Sequence, residues 1–294
     1  MNPNSTFMRT LRTGASRARR QAARLYKMGN AEAAFLSYPE PAKFGDDLAN
    51  VLEHRPAAAL AVVNARVAAY QYLAHLGNIV REFKIDFVID AGAHSGQFAS
   101  SLFGYGEFKG EIHSFEPVRK YYDVMAGHVS YWKGWKAYNA ALGDVPGPSR
   151  IFVGGGHGGT SSLLPQSDNL KNFVADCLLG EPEDIVVHRV DEMFGSVISD
   201  PAHRVMLKLD VQGFEERVLK SSGKHISDFK LLQVELSAIP FYTGQMSLSD
   251  LCSMLERLGY ALIYTANNFG IKKSVFLDYD FVFCQRTELE AMRP

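Results

Sequence analysis

Three acidic residues of this chain could take part in ligand binding, because each ends a short apolar run. These residues are Asp90, Glu116 and Asp210. If the runs are parallel strands, their carboxyl ends meet along the edge where open α/β sheets bind ligands. An acid after the second strand could accept hydrogen bonds from both hydroxyls of a ribose, as in dinucleotide folds. The alternative for Glu116 is a solvent-facing acid at the end of a strand.

The loop after Asp90 contains two glycines, Gly92 and Gly96. Glycine permits backbone conformations that a side chain forbids, so the main chain could approach a ligand closely. A dinucleotide loop needs three glycines to receive the pyrophosphate, so a nucleoside without phosphates, such as S-adenosylmethionine, fits this spacing better. A tight turn into a helix capped by Ser95 explains the same residues equally well.

The run that ends at Asp210 places Lys208 and Asp210 on one face of a strand, because side chains two apart point the same way. Asp210 is therefore a candidate base, substrate anchor or metal ligand, and Lys208 could simply neutralise it. Glu215 begins a predicted helix, where an acid also favours the helix dipole. Its capping interpretation is as strong as a substrate or metal role.

The elements that must position these residues alternate between strands and helices from residue 85 onward. Short apolar strands separated by helical segments predict parallel βαβ units, a typical α/β arrangement. The last two predicted strands lack a helix between them and should form a hairpin, which makes one strand antiparallel. The predicted strands are Phe87–Asp90, Glu111–Phe115, Trp135–Ala141, Val205–Asp210, Leu231–Leu236, Ala261–Thr265 and Phe281–Cys284.

We expect three parts in the chain: a basic, flexible tail at 1–28, a helical extension at 29–84, and a catalytic domain at 85–290. An insertion at about 145–204 interrupts the strand–helix alternation, and long insertions of this kind often cover substrates. It contains a glycine run beside His157, which favours a mobile loop facing the substrate as much as a simple surface connection. The helical extension could serve for homo-oligomer formation or cover a pocket.

Composition limits the function classes. The formal net charge of the 294 residues is −1, but residues 1–28 hold seven basic residues and no acid, so the remainder is acidic. A general affinity for nucleic acid is therefore not indicated, although the tail could contact RNA, DNA or a membrane surface. The three cysteines are far apart, which argues against a zinc site or a disulfide framework. No apolar run is long enough to span a membrane, and we expect a cytoplasmic protein.

Five segments, in this order, resemble the FkbM-type methyltransferases over residues 85–286. They are Asp90–Gly96, Ser114–Pro117, Asn139–Asp144, Lys208–Glu215 and Glu235–Leu236. The first segment is shared by many S-adenosylmethionine enzymes, whereas the fourth is much more specific. The resemblance implies a class I methyltransferase fold, which is Rossmann-like, with seven mostly parallel strands and an antiparallel last strand.

The resemblance also implies how S-adenosylmethionine would bind. The loop Asp90–Gly96, with Gly92, Ala93 and His94, would hold the methionine part. Glu116 and Pro117 would lie at the ribose, and Asn139, Ala140 and Asp144 at the adenine, with Asp210 beside the methyl group. The family mostly methylates hydroxyl oxygens of small molecules, often sugars or natural products such as polyketides.

A hydroxyl acceptor must lose its proton during methyl transfer, because a neutral alcohol is a weak nucleophile. The candidate bases are Asp210, His94 and His157. A divalent cation such as magnesium could instead acidify the hydroxyl, with oxygen ligands from Asp210, Glu215 and Glu235. Two alternatives remain: a nucleic-acid methyltransferase that uses the basic tail, and a cofactor-binding protein without turnover.

Overall fold

The computed structural model describes residues 72–104, 106–154, 159–173, 179–272 and 275–293. The predicted basic tail and the extension up to residue 71 lie outside these described residues, and so does His157. Residues 72–82 are helical, as the predicted extension requires at its end. The described residues divide into two compact units, one with 72–78 and 100–108, the other with the rest.

The described helices and strands are numbered in chain order. The helices are α1 (72–82), α2 (Gln97–Gly104), α3 (Arg119–His128), α4 (Asp168–Phe173), α5 (Glu215–Ser221), α6 (Leu248–Arg257) and α7 (Arg286–Ala291). The strands are β1 (Phe87–Ala91), β2 (Glu111–Phe115), β3 (Trp135–Tyr138), β4 (Ala141–Leu142), β5 (Gly147–Gly154), β6 (Leu179–His188), β7 (Val205–Leu209), β8 (Phe229–Ser237), β9 (Tyr260–Lys272) and β10 (Val275–Gln285).

Seven strands form the main sheet in the order β3-β2-β1-β7-β8-β10-β9. Strands β1, β2, β3, β7 and β8 pair in parallel, whereas β10 is antiparallel to both of its neighbours. The predicted Rossmann-like sheet with an antiparallel last strand is therefore confirmed. All residues of β1 and β7 are buried, and all but Asp90 and Lys208 are apolar, because a parallel strand covered on both faces has no polar side.

The hairpin of β9 and β10 is longer than the apolar pattern indicated. Residues 267–272 extend β9 and residues 275–279 extend β10, where a connection between two short strands was expected. A two-stranded ribbon is paired by backbone hydrogen bonds, so it can continue where no apolar alternation marks it. The predicted strand Trp135–Ala141 is also divided, because β3 ends at Tyr138 and Ala141 begins β4 in another sheet.

A second, three-stranded sheet occupies much of the predicted insertion, in the order β4-β6-β5. Its buried face includes Ile151, Ile185 and Val187, which pack with Val118 and Tyr121 near the start of α3. The two short strands predicted there, Ser149–Val153 and Ile185–Val190, correspond to parts of β5 and β6. Among the described residues, no helix combines the length and the apolar character needed to cross a membrane.

Candidate active site

The glycine loop after β1 needs both of its glycines. Gly92 has a φ of +74°, and a Cβ there would lie 1.8 Å from the carbonyl oxygen of Asp210. Gly96 has a φ of +89°, and its Cβ would lie 2.6 Å from the indole of Trp135. The main chain therefore passes close to the end of β7, which only a residue without a side chain allows.

Asp90 lies at the end of β1 and is completely buried. Ser114 Oγ donates a hydrogen bond to its Oδ2 at 2.9 Å, and Lys208 Nζ lies 3.1 Å from Oδ1. Because Ser114 belongs to β2 and Lys208 to β7, the Asp90 carboxylate connects both of these strands to β1. Its predicted direct contact with the methionine part of a cofactor is untested, and this geometry favours an indirect role.

Lys208 joins three parts of the site. Its Nζ lies 3.1 Å from the carbonyl oxygen of Gly92 and 3.6 Å from Asp210 Oδ2, in addition to its ion pair with Asp90. Burial by itself would lower the pKa of this ammonium, but the Asp90 and Asp210 carboxylates raise it above its ordinary value. Lys208 therefore stays charged and holds the glycine loop against the end of β7.

Glu116 follows β2 and is 5% exposed. Its Oε2 accepts the backbone N–H of His94, and its Oε1 that of Val118, both at 2.8 Å. Burial raises the pKa of Glu116 to about 7, although these two hydrogen bonds oppose the change. One carboxylate therefore connects the glycine loop with the start of α3 and has lone pairs left for a ligand.

His94 adopts a φ of +51°, which is uncommon for a residue with a side chain. Its ring stacks on Tyr121 with centroids 3.9 Å apart, and its Nδ1 lies 2.8 Å from Ser95 Oγ. The hydroxyl of Ser95 therefore contacts the imidazole. His94 belongs to the glycine loop, and its predicted contact with the cofactor and its role as a base stay predictions.

The residues predicted at the adenine separate into two places. Asn139 Nδ2 donates to the carbonyl oxygens of Glu116 and Pro117 at 3.0 and 2.9 Å, so it stays beside Glu116. Ala140 is buried next to it in sequence. Asp144 follows β4 in the small sheet, and no hydrogen bond or ion pair among the described residues links it to Glu116.

Asp144 borders a cavity of about 310 Å³. One of its carboxylate oxygens is buried without a hydrogen-bond partner among the described residues. The lining of the cavity combines charged and polar side chains with apolar ones. The other lining residues are Val145, Ser149, Leu163, Leu164, Val187, Phe214 and Arg217.

Asp210 lies just beyond the end of β7, and its side chain is 35% exposed. Burial would raise its pKa, but the charge of Lys208 and hydrogen bonds from neighbouring groups lower it below its ordinary value. The Glu235 carboxyl, at the end of β8, hydrogen-bonds to Asp210, and burial together with the charge of Asp210 raises its pKa well above the ordinary value. The two shifts are opposite in direction, so Asp210 is the more acidic member of the pair.

Glu215 is buried and closes the loop after β7. Its Oε1 accepts the backbone N–H groups of Val211 at 3.3 Å and Gly213 at 3.1 Å. The helix-start interpretation of this residue agrees with these contacts, because the carboxylate satisfies N–H groups just before α5. In the part of the chain that the structure describes, no group of three or more His, Cys, Asp or Glu residues is arranged to hold a metal ion. The magnesium site stays a prediction.

Sequence reasoning missed two residues of this site, Gln212 and Tyr242. Gln212 contacts both Asp210 and Glu235, and Tyr242 contacts Gln212. A signal was available for Gln212, because it lies between Asp210 and a glycine in the most specific of the five motifs.

Comparisons with known proteins agree with this arrangement. The family model for the methyltransferase FkbM domain matches residues 90–262, and no curated protein matches the chain. One similar solved structure is an FkbM methyltransferase from Methylobacillus flagellatus KT, with 17% identity and a TM-score of 0.43. The match covers 67% of this chain and 43% of that protein, so this chain corresponds to less than half of it.

Two further structures show lower identity. Magnesium protoporphyrin IX methyltransferase (ChlM) from Synechocystis PCC 6803, with bound SAM, is 10% identical, with 75% and 81% of the two chains covered and a TM-score of 0.40. A putative O-methyltransferase from Klebsiella pneumoniae is 9% identical, with 74% and 80% covered and a TM-score of 0.39. Because the family model spans more than half of the sequence, this chain belongs to the methyltransferase FkbM family, whose members are S-adenosylmethionine-dependent methyltransferases.

Proposed function

We propose that this protein transfers a methyl group from S-adenosylmethionine to a hydroxyl group of a small molecule, such as a sugar, a glycoside or a polyketide-like compound. The observation that carries the proposal is the connection made by Lys208. This single ammonium contacts the glycine loop after β1 and the Asp210 carboxylate after β7. A cofactor loop and a candidate proton acceptor are thereby kept side by side.

The residues present fit S-adenosylmethionine. Gly92 and Gly96 let the loop pack closely against Asp210 and Trp135, where a Cβ would collide, and the loop lacks the third glycine of a pyrophosphate site. Glu116 is fixed by two backbone N–H groups, and its remaining lone pairs suit the two hydroxyls of a ribose. Asn139 supports the same segment by binding the carbonyl oxygens of Glu116 and Pro117.

The bound cofactor would supply an electrophilic methyl group on a positively charged sulfur. The chain's own contribution is to orient the acceptor and to receive its proton. Asp210 is the best-placed acceptor of that proton, because it is ionised, partly exposed and held by Lys208. The Glu235 carboxyl, whose pKa is raised well above its ordinary value by burial and by the charge of Asp210, hydrogen-bonds to Asp210.

Binding measurements can separate cofactor recognition from proton transfer. We expect isothermal titration calorimetry to show that the protein binds S-adenosylmethionine and S-adenosylhomocysteine. Asp210→Asn should keep this affinity within about twofold, and Glu116→Gln should weaken it about tenfold, since one charged hydrogen-bond acceptor is worth about 1.4 kcal/mol. Asp184→Asn is the matched control, because that aspartate is 91% exposed on the small sheet.

The acceptor can be identified directly. The protein is incubated with S-adenosylmethionine that carries an isotope-labelled methyl group and with a fractionated extract of its host, and the products are analysed by mass spectrometry. We expect label on a hydroxyl oxygen of a small molecule, and none with Asp210→Asn. Label on RNA or DNA, or wild-type protein that binds neither cofactor form, would contradict the proposal.

A further inference from the structure

The side chain of Gln212 lies between the carboxyl groups at the ends of two adjacent strands. Its Nε2 lies 2.9 Å from Asp210 Oδ1 and 2.7 Å from Glu235 Oε2. Asp210 follows β7 and Glu235 lies in β8, and these two strands pair directly in the main sheet. An amide nitrogen has two hydrogens, so Gln212 can donate one to each carboxyl group.

Tyr242 fixes the orientation of this amide. Its phenol donates to Gln212 Oε1 at 2.9 Å, and the tyrosine is only 2% exposed. The phenol has one hydrogen and also lies 3.2 Å from the carbonyl oxygen of Thr160; the opposite amide orientation would turn the amide oxygen towards the Asp210 carboxylate. Both ends of the Gln212 side chain are therefore matched to their partners.

The backbone of Gln212 is held as firmly as its side chain. Its φ is +52°, in the region that favours glycine, which a residue with a side chain adopts at a cost in energy. Ser162 Oγ donates to the carbonyl oxygen of Gln212 at 2.6 Å, and Ser162 itself pairs with Phe152 of β5. Ser162, which follows the glycine run, thus holds the backbone of Gln212 in place. Backbone strain that is kept at a candidate site is a reason to look for a function of the strained residue.

We propose that Gln212 is a positioning residue for methyl transfer: its amide holds the Asp210 and Glu235 carboxyl groups together and keeps the Asp210 carboxylate in one orientation. This inference rests on the proposed function and adds to it the residue that keeps the proton acceptor in place. Without the amide, the two carboxyl groups would keep only their direct hydrogen bond and the ion pair of Asp210 with Lys208.

The charges around the pair explain why a donor is needed there. Glu235 feels the negative charge of Asp278 and Asp280 from β10, besides that of Asp210. Lys208 is the cation that faces Asp210, and it is also paired with Asp90 of β1. The remaining titratable groups that sense Asp210 electrostatically are Glu116 after β2, Glu215 at the start of α5 and Tyr242 after β8.

The test measures the titration of the carboxyl pair in the protein without any ligand. Carboxyl carbons of Asp and Glu are labelled with ¹³C, and their NMR shifts are followed with pH in the wild type and in Gln212→Leu. We expect the lower titration midpoint of the pair to rise by about one pH unit, because Asp210 loses a hydrogen bond to its charged form. Tyr242→Phe should raise it less, since the amide is kept but not oriented.

Gln285→Leu is the matched control, because the amide of Gln285 bonds to Lys230 and to the carbonyl of Ser227 at the opposite end of β8. It should leave both midpoints of the pair unchanged. Unchanged midpoints in a folded Gln212→Leu protein would overturn the inference. If Gln212→Leu does not fold, the NMR titration of Tyr242→Phe is the test. Titration midpoints equal to those of the wild type in Tyr242→Phe would then overturn the inference.

The NMR titration of the carboxyl pair does not require catalytic activity, so it can fail or succeed independently of the proposed function. A wild-type protein that fails to bind S-adenosylhomocysteine in calorimetry refutes the proposed function, whether or not the carboxyl pair shifts. If the cofactor binds and the acceptor has been identified, Gln212→Leu should lower kcat about tenfold and leave the KM for S-adenosylmethionine unchanged. An equal loss in kcat and in cofactor affinity would instead contradict a positioning role.

Discussion

Two carboxylates of this site are fixed in contrasting ways. Glu116, after β2, is held by backbone N–H groups of His94 and Val118. Asp210, after β7, is held by side chains, those of Lys208 and Gln212. Backbone donors follow from the course of the chain, whereas side-chain donors can be removed one at a time. We therefore expect the two regions to respond differently to substitution.

The largest effect should come from Lys208→Met, which breaks the side-chain region. The change leaves Asp90, which is completely buried, without its cation, and breaking a buried pair in this way costs about 3–5 kcal/mol. Urea unfolding monitored by circular dichroism measures the loss. Asp90→Asn combined with Lys208→Met should recover part of the stability, and a single variant as stable as the wild type would disprove the role of the ion pair.

Gly92→Ala tests the close approach of the two regions. The added methyl group would collide with the carbonyl of Asp210 at 1.8 Å and would also occupy a φ of +74°. We expect a loss of about 3 kcal/mol and no measurable S-adenosylhomocysteine binding in calorimetry. Gly195→Ala separates the two causes, because its φ is +85° but no atom lies within 4 Å of its Cβ. It should lose about 1 kcal/mol through backbone strain alone.

The pH dependence of cofactor binding sharpens the comparison at Glu116. Its pKa is raised to about 7 by burial, so the carboxylate that we propose to accept ribose hydroxyls is present mainly above that pH. We expect the affinity for S-adenosylhomocysteine to rise between pH 6 and 8, by about threefold to tenfold. Glu116→Gln should bind more weakly and without this dependence. Calorimetry between pH 6 and 8 measures this dependence. If the affinity of Glu116→Gln changes with pH as much as that of the wild type, another group is responsible for the titration.

The titration of Glu116 affects the stability of the fold in the direction opposite to its effect on cofactor affinity. A carboxyl group whose pKa is higher in the folded protein than in the unfolded chain stabilises the fold while it is protonated. Its contribution is therefore present at low pH and is lost as the pH rises from about 4.5 through about 7. Thermal melting of the ligand-free protein should show a smaller decline over this range in Glu116→Gln.

The smallest effect should come from Asn139→Ala, in the backbone-held region. The change removes two hydrogen bonds to the carbonyls of Glu116 and Pro117, but these groups lie near solvent and can bond to water. We expect at most about a threefold loss in S-adenosylhomocysteine affinity, measured by calorimetry, and a melting temperature within a few degrees of the wild type. A loss of tenfold or more would show that Asn139 contacts the ligand itself.

Much of the fold could be predicted because it depends on local pattern. The buried strands β1 and β7 are nearly continuous apolar runs, and the acids that follow them mark their carboxyl ends. The hairpin at the end of the chain was indicated by the missing helix between two strands. Its length was not, because backbone pairing of β9 with β10 leaves no apolar pattern to read.

The sequence by itself determined the main sheet, the family and the acids that stand at the strand ends, because these depend on periodicity, on glycine and on short motifs. Only the tertiary structure decided what each acid does. It buried Asp90 against Lys208, turned Glu215 onto the backbone of its own loop and placed Gln212 between Asp210 and Glu235. Hydrogen bonds between residues far apart in the chain depend on strand order and side-chain direction, and neither can be read from the residues one by one.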